Sequence, residues 1–194
     1  MSYNGYNGGG ASASYYDNNN DFSDELRGAA QHAERGHSAP DSSSLFGEAV
    51  SFIQGRASEY MSGGGGGGSS GPAVDENQMV QAHQAVYGQG SQGGGQQHSS
   101  ETLGAGAAMQ ALKMFGSGSS GSSGSMNEFI GMAMSQAGNL WDQHSASGSV
   151  AGSKQSAINS AAEMAMKMYM KSGGSGLGGT GGPAGLMSLA SKFL

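Results

Sequence analysis

The scarcity of large apolar side chains is the feature of this sequence that most restricts its fold. Leu, Ile, Val and Phe together occupy 23 of 194 positions, whereas glycine alone occupies 38. Globular sequences usually hold at least roughly 20% of these four residues, and here they make up about 12%. Thirteen methionines and many alanines supply the remaining apolar surface. A large conventional core and an ordinary α/β enzyme fold are therefore excluded.

Composition also excludes several functional classes. The chain has no cysteine, so disulfides, thiolate metal sites and a cysteine nucleophile are absent. It has no basic and apolar leader and no long apolar run, so we predict a cytoplasmic or nuclear protein, not secreted and without a membrane span. The net charge is −6 and the basic residues form no cluster. Nucleic acid is therefore not predicted as a partner.

Stretches rich in glycine and serine divide the chain. Four of them are almost free of apolar residues, at 62–71, 88–95, 116–125 and 172–182. Such stretches behave as flexible coils that join neighbouring elements. Residues 1–20 contain little besides Tyr, Asn, Gly and Ser, which cannot bury a core and predict a disordered tail. We therefore expect this tail at 1–20, a weak helix and linker at 21–42, and a helical domain at 43–194.

Between these stretches the apolar residues recur with the period of an α-helix. Asp75 and Ser125 are residue types that cap helix N-termini, and Ser125 with Glu128 has capping-box spacing. The pattern predicts an all-α fold, a small bundle of about six helices with long Gly/Ser loops. The predicted helices cover 44–61, 75–87, 100–115, 126–144, 153–171 and 184–194, with a weaker one at 21–35.

Two of the predicted helices carry a distinct polar side. In 126–144 the polar residues opposite the apolar face are Glu128, Ser135, Asn139 and Asp142. In 153–171 one narrow polar stripe contains Ser156, Ser160, Glu163, Lys167 and Lys171. The methionines at 164–170 alternate as in a strand, but the alanine-rich segment before them favours a helix. Because its apolar arc is so wide, 153–171 is predicted to be the central helix, buried on more than one side.

An internal repeat occurs at a spacing of 54 residues. The matching residues are Ala107, Ala108, Ala111, Lys113, Met114 and Phe115 with Ala161, Ala162, Ala165, Lys167, Met168 and Tyr169. The segments 100–144 and 153–194 therefore look like two copies of a helix, a Gly/Ser loop and a second helix. Two related helical pairs in the C-terminal part would pack as a small bundle.

Five segments carry a resemblance to a known group of proteins. They are DENQMVQAHQAVYG at 75–88, LGAGAAMQALKMF at 103–115, FIGMAMSQAGNLWDQ at 129–143, SKQSAINSAAEMAMKMYMK at 153–171 and LMSLASKFL at 186–194. Together they resemble small fungal proteins of unknown function, some of which are labelled beta-flanking proteins. The resemblance covers roughly 43–194. It implies an all-helical domain without an established activity or catalytic residue.

Candidate chemistry is sparse. The sequence has no nucleophile elbow, and the polyglycine at 63–68 lacks the ending of a phosphate-binding loop, so we predict a non-enzymatic protein without a cofactor. The other histidines, His32, His37, His98 and His144, lie in polar surroundings without shared spacing. His83 lies on an apolar helix face, and the methionines at 164–170 could ligate a soft metal ion or fill a core. A metal- or small-molecule-binding domain that uses both is the alternative function.

Two small residues indicate a surface for close helix packing. Gly131 and Gly138 are seven residues apart on one flank of the predicted helix 126–144, where another helix can approach closely. Together with Met134 and Trp141 they form the candidate partner-binding surface, with packing inside the bundle as the other interpretation. We predict an interaction or structural role with an unidentified protein partner.

Overall fold

The computed structural model describes residues 24, 26–37, 39–62, 75–88, 97–116 and 125–173. These residues form six helices and two short strands, which confirms the all-α prediction. The predicted tail at 1–20 and the predicted helix at 184–194 lie outside the described residues. The elements are α1 26–36, α2 Ser42–Ser62, α3 Glu76–Tyr87, β1 His98–Ser99, α4 Ser100–Gly116, α5 Met126–Ala146, β2 Val150–Ala151 and α6 Lys154–Gly173.

The helices form an inner trio, each member of which carries one outer helix. α4, α5 and α6 pack against one another, while α3 packs on α4 and α2 packs on α6. α1 lies against α5, where Gly28 meets Asn127 and Gly36 meets Ser135. α6 is one of the three inner helices. α6 therefore contacts α2, α4 and α5, and this agrees with its predicted central position.

Two predicted helix starts are capped as their residue types indicate. The Asp75 side chain accepts a hydrogen bond from the backbone N–H of Gln78 at 3.1 Å, at the start of α3. The Ser125 hydroxyl accepts from the backbone N–H of Glu128 at 3.4 Å, at the start of α5. Each cap satisfies a backbone donor that the first helical turn leaves without an intrahelical partner.

The end of α5 lies two residues beyond the predicted end and is built around a glycine. Gly148 has φ +70°, in the left-handed region that glycine adopts without strain. The N–H of Ser149 donates to the carbonyl of His144 at 3.0 Å, and the N–H of Gly148 donates to the carbonyl of Ser145 at 3.1 Å. This pair of hydrogen bonds is a Schellman motif, which ends the helix and directs the chain into β2.

The two strands were not predicted. β1 and β2 pair in parallel, with His98 opposite Val150 and Ser99 opposite Ala151. Each strand leads into an inner helix, β1 into α4 and β2 into α6. Gly152 follows β2 with φ +109°, and a Cβ there would collide with the hydroxyl of Ser100. Strands of two residues are too short for a period of two to be visible in the sequence.

The core is made mostly of alanine, methionine and a few larger side chains. Phe46, Phe129, Met134, Met166 and Met168 are all fully buried or nearly so. The small residues allow neighbouring helices to approach closely: a Cβ on Gly104 of α4 would lie 2.6 Å from the Cβ of Ser160 in α6. Methionine suits such a core because its flexible thioether fills irregular gaps between closely packed helices.

α1 contributes to this same core. Leu26, Ala29 and Ala33 are fully buried, although the sequence predicts only a weak helix in this region. The limits predicted for the helical domain, 43–194, stay a prediction, but the core of the described residues also includes α1. Among the helices that the structure describes, none is both long and apolar enough to cross a membrane.

Candidate binding cleft

Two of the four residues predicted to bind a partner, Gly131 and Gly138, lie against α1 and His37 of the same chain. A Cβ on Gly131 would be 2.5 Å from the carbonyl oxygen of Ala29, and Gly138 faces the ring of His37. Met134 is fully buried, and Trp141 is half-buried with an indole N–H that finds no hydrogen-bond partner in the described part of the chain. The chain's own helix therefore fills this groove. Binding of another protein at these four residues stays a prediction.

The polar side of α5 is the face that receives α1. Ser135 is buried beneath Gly36. The Asn139 amide donates to the carbonyl of Gly36 at 3.3 Å, and Asp142 lies near His37. Residues that lie opposite the apolar face of α5 thus form a second packing surface, in place of a solvated one.

A buried cluster around His37 joins α1, α5 and α6. Its Nδ1 lies 2.7 Å from Oδ1 of Asn139, and its Nε2 lies 3.0 Å from Nζ of Lys154. Because an ammonium group can only donate, Nε2 accepts from Lys154, and Nδ1–H donates to Oδ1 of Asn139. Lys154 also donates to both carboxylate oxygens of Asp142 at 2.8 Å.

The sequence shows that His37 lies among polar residues, but it does not show which groups the ring contacts. His37 is buried, and its partners lie more than 100 residues away in the sequence. Contacts this distant leave no periodic signal in the sequence. The cluster holds a single histidine with its amide, carboxylate and ammonium partners satisfied by one another, so it stabilises the docking of α1.

A histidine pair lies where α5 approaches β1. The rings of His98 and His144 meet edge to face, with centroids 5.1 Å apart. Burial and the neighbouring His98 lower the pKa of His144 below its usual value of 6.5, while a hydrogen bond with the backbone of Val86 acts in the opposite direction. The folded state therefore favours the neutral imidazole of His144.

We expect this pair to make stability depend on pH. The unfolded chain binds a proton on His144 more readily, so the stabilisation is complete above about pH 6.5 and is lost as the pH falls through the lower pKa of the folded state. Urea unfolding at about pH 7.5 and about pH 5 should show a smaller loss of stability for His144→Gln than for the unchanged chain. Equal losses in the two proteins would contradict the assignment.

A cleft lies between α2 and α3, on the side of α4 and α6 that faces away from α5. Its volume is about 860 Å³. The start of α4 and one side of α6 form its floor. The lining residues that carry polar groups are Arg56, Gln78, Gln81, Ser99, Ser100, Glu101, Thr102, Ser156, Asn159, Ser160, Glu163 and Lys167, and the apolar ones are Phe52, Ala82, Ala85, Ala105 and Met164.

The polar stripe of α6 is the part of this cleft that the sequence reveals. Four of its five residues line the cleft. The fifth, Lys171, extends beyond it and pairs with Glu76 of α3 at 2.9 Å. A helix that packs on three sides against its neighbours therefore presents its polar groups to one opening.

Three of the four charged residues that line the cleft, Arg56, Glu163 and Lys167, are paired with one another. Oε1 of Glu163 lies 3.0 Å from the guanidinium of Arg56 and 2.7 Å from Nζ of Lys167. The Glu163 and Lys167 side chains are only 16% and 19% exposed, whereas Arg56 is 45% exposed and lies 4.9 Å above the ring of Phe52. The other polar groups are mainly amides and hydroxyls, which both donate and accept hydrogen bonds.

The structure does not assemble the alternative site of His83 and the methionines. Nε2 of His83 lies 2.9 Å from Oε1 of Gln110, its ring stacks on Tyr87, and it is not among the cleft residues. Met166 and Met168 are buried in the core, while Met164 lines the cleft. In the described part of the chain, no group of three or more His, Cys, Asp or Glu could hold a metal ion.

The outer wall of the cleft has no recognisable signal in the sequence. Phe52 and Arg56 belong to α2, and Gln78 and Gln81 belong to α3, where they resemble ordinary surface residues. Only the packing of α2 on α6 and of α3 on α4 brings the two helices to opposite sides of one opening.

A family model described as Domain of unknown function (DUF7721) matches residues 25–120, just under half of the chain. The match begins with α1 and ends between α4 and α5. This similarity is consistent with an uncharacterised family and names no process. No curated protein and no solved structure matches the chain. The matched segment holds α1 to α4. It therefore contains one of the three inner helices, α4, which packs on α5 and α6.

Proposed function

We propose that this chain is a non-enzymatic interaction protein and that a segment of a partner protein binds in the cleft between α2 and α3. The observation that carries this proposal is the stripe Ser156, Ser160, Glu163 and Lys167, which lines a cleft on a helix that also packs against α2, α4 and α5. Partly burying charged groups is unfavourable unless they are paired, and an apolar residue would pack more simply at these positions.

The size and chemistry of the cleft support binding of a polypeptide segment. Its volume of about 860 Å³ falls within the range of typical ligand sites. Its amides and hydroxyls can donate to and accept from a peptide backbone, which presents both kinds of group. Phe52 and Met164 add apolar contact area for side chains. A polar cleft with an apolar portion fits a short stretch of chain.

The bonding of the cleft residues supports a role without catalysis. The Ser99 hydroxyl accepts from the backbone N–H of Thr102 at 3.2 Å and caps α4. The Ser100 hydroxyl donates to the carbonyls of Ala151 and Ser153, at 3.3 and 3.2 Å. A serine nucleophile needs a neighbouring base that takes its proton, and the carboxylate of Glu163 is held between two cations. These groups stabilise the cleft and orient a bound segment.

Two glutamines of α3 provide a matched test. Gln81 lines the cleft, whereas Gln84 is exposed on the same helix and does not line it. We expect Gln81→Trp to fill the opening and reduce capture of a specific partner by about tenfold or more, a change of about 1.4 kcal/mol in binding. Gln84→Trp should leave capture unchanged. Affinity purification with quantitative mass spectrometry measures both, and equal capture by the two variants would contradict the proposal.

Methionine methyl groups give a second readout with purified partner. Met164 lines the cleft, and Met166, two residues away, is fully buried. Addition of the partner to protein labelled with ¹³C at its methionine methyls should shift the Met164 signal more than the Met166 signal. A shift confined to methionines outside the cleft would place the partner elsewhere.

A further inference from the structure

The polar side of α5, which holds Ser135 and Asn139, and the polar stripe of α6 differ in what covers them. The polar side of α5 is covered by α1, with Asn139 bonded to Gly36 and to His37. The stripe of α6 lines the cleft, and none of the described helices lies over it. Since the chain covers the polar side of α5 with its own helix α1, another segment of the same chain can cover the stripe of α6.

Polarity distinguishes the two terminal segments. Residues 1–20 hold four tyrosines and five asparagines, and Asp17 is their single charged side chain. Residues 184–194 hold Leu186, Leu189 and Phe193 on the face predicted to be apolar. An apolar face over Glu163 and its two cations would remove water from charged groups and supply no hydrogen bonds, which is unfavourable. The amides and phenols of residues 1–20 can hydrogen-bond to the cleft without adding charge.

The position of α1 brings residues 1–20 within reach of the cleft. α1 begins beside Asn127 at the start of α5, which is also the end of the bundle where Lys171 meets Glu76. The cleft reaches toward this end at Gln78 and Lys167. The residues that precede α1 span up to about 3.3 Å each when extended, so more than 20 of them can cross the end of a small bundle and enter the cleft.

We propose that residues 1–20 bind in the α2–α3 cleft of their own chain and compete with the partner. This inference rests on the proposed function and adds its regulation. A polar segment with one charged side chain binds weakly on its own, but a short tether raises its effective concentration to about the millimolar range. The apparent dissociation constant of the partner is then its intrinsic value divided by the fraction of molecules in which the cleft is vacant.

Photo-crosslinking in the full-length chain tests where residues 1–20 bind. A benzophenone amino acid placed at Tyr15 reacts readily with methionine side chains, and Met164 lines the cleft. We expect an adduct between position 15 and Met164 or its cleft neighbours, with a yield that does not fall on dilution. Gln81→Trp should remove the adduct and Gln84→Trp should keep it. Adducts spread over the whole surface, a yield that falls on dilution, or a cleft adduct only from benzophenone at Phe193 would overturn the proposal.

Partner capture separates this inference from the proposed function. Replacing Tyr3, Tyr6, Tyr15 and Tyr16 with serine should increase partner capture by about threefold to tenfold, because the cleft is then vacant more often. Unchanged capture by this variant, together with loss of capture by Gln81→Trp, would overturn the inference and leave the proposed function intact. If Gln81→Trp does not reduce partner capture, the proposed function is contradicted. The Tyr15 adduct would still test whether residues 1–20 bind in the cleft.

Discussion

Replacing Met166 with alanine is expected to lower the free energy of unfolding by about 2–5 kcal/mol. Met166 is fully buried in α6, the helix that contacts α2, α4 and α5. Truncation removes apolar contacts and leaves a cavity that three neighbouring helices cannot close without moving. Urea or thermal denaturation followed by far-UV circular dichroism measures the loss.

Met164 is the matched control because it lies on the same helix and lines the cleft. Its side chain is only partly buried, so Met164→Ala should cost less than about 1.5 kcal/mol. This pair separates the two interpretations of the methionine-rich segment. Equal losses at both positions would mean that the methionines are not divided between the core and the cleft.

Gly104→Ala should destabilise the protein by about 1–3 kcal/mol, although alanine is the better helix former. A Cβ at this position would lie 2.6 Å from the Cβ of Ser160 and 2.8 Å from the backbone nitrogen of Ala161. The second contact is with the backbone of α6, which cannot move aside as a side chain can. α4 and α6 would therefore have to separate, which weakens the floor of the cleft as well as the core.

Gly47→Ala is expected to change the free energy of unfolding in the opposite direction to Gly104→Ala. Gly47 is an exposed residue in α2, and a Cβ there would meet nothing within 4 Å. Only the helix propensity then changes, so this substitution should stabilise the protein by up to about 1 kcal/mol. The two denaturation midpoints should move in opposite directions. A stabilising effect of Gly104→Ala would show that α4 and α6 do not pack as closely as the structure places them.

The groove at Gly131 and Gly138 illustrates what sequence reasoning leaves open. Gly131 and Gly138 indicate a close helix approach, and the approach exists, but the helix is α1. Small residues along one side of a helix have the same spacing whether the helix that packs on them belongs to the same chain or to another protein. The weak periodicity of 21–35 does not indicate that α1 fills this groove. Much of the stability of α1 comes from burial of Leu26, Ala29 and Ala33 against other helices, and the sequence does not show this burial.

The cleft was only half visible in the sequence for a related reason. The stripe from Ser156 to Lys167 can be predicted from the sequence, because its residues recur with the period of 3.6 of a single helix. Its other walls come from α2 and α3, which lie far away in the chain. The partners of His37, more than 100 residues away, were hidden in the same way.

The amino-acid sequence alone determined the helical class, the sites of helix capping and the central place of 153–171, because periodicity, caps and alanine content act over a few neighbouring residues. Only the tertiary structure decided which polar stripe is buried and which one lines a cleft, and which helix fills the groove at Gly131. These outcomes depend on the order in which six helices pack, and that order is set by contacts between distant residues.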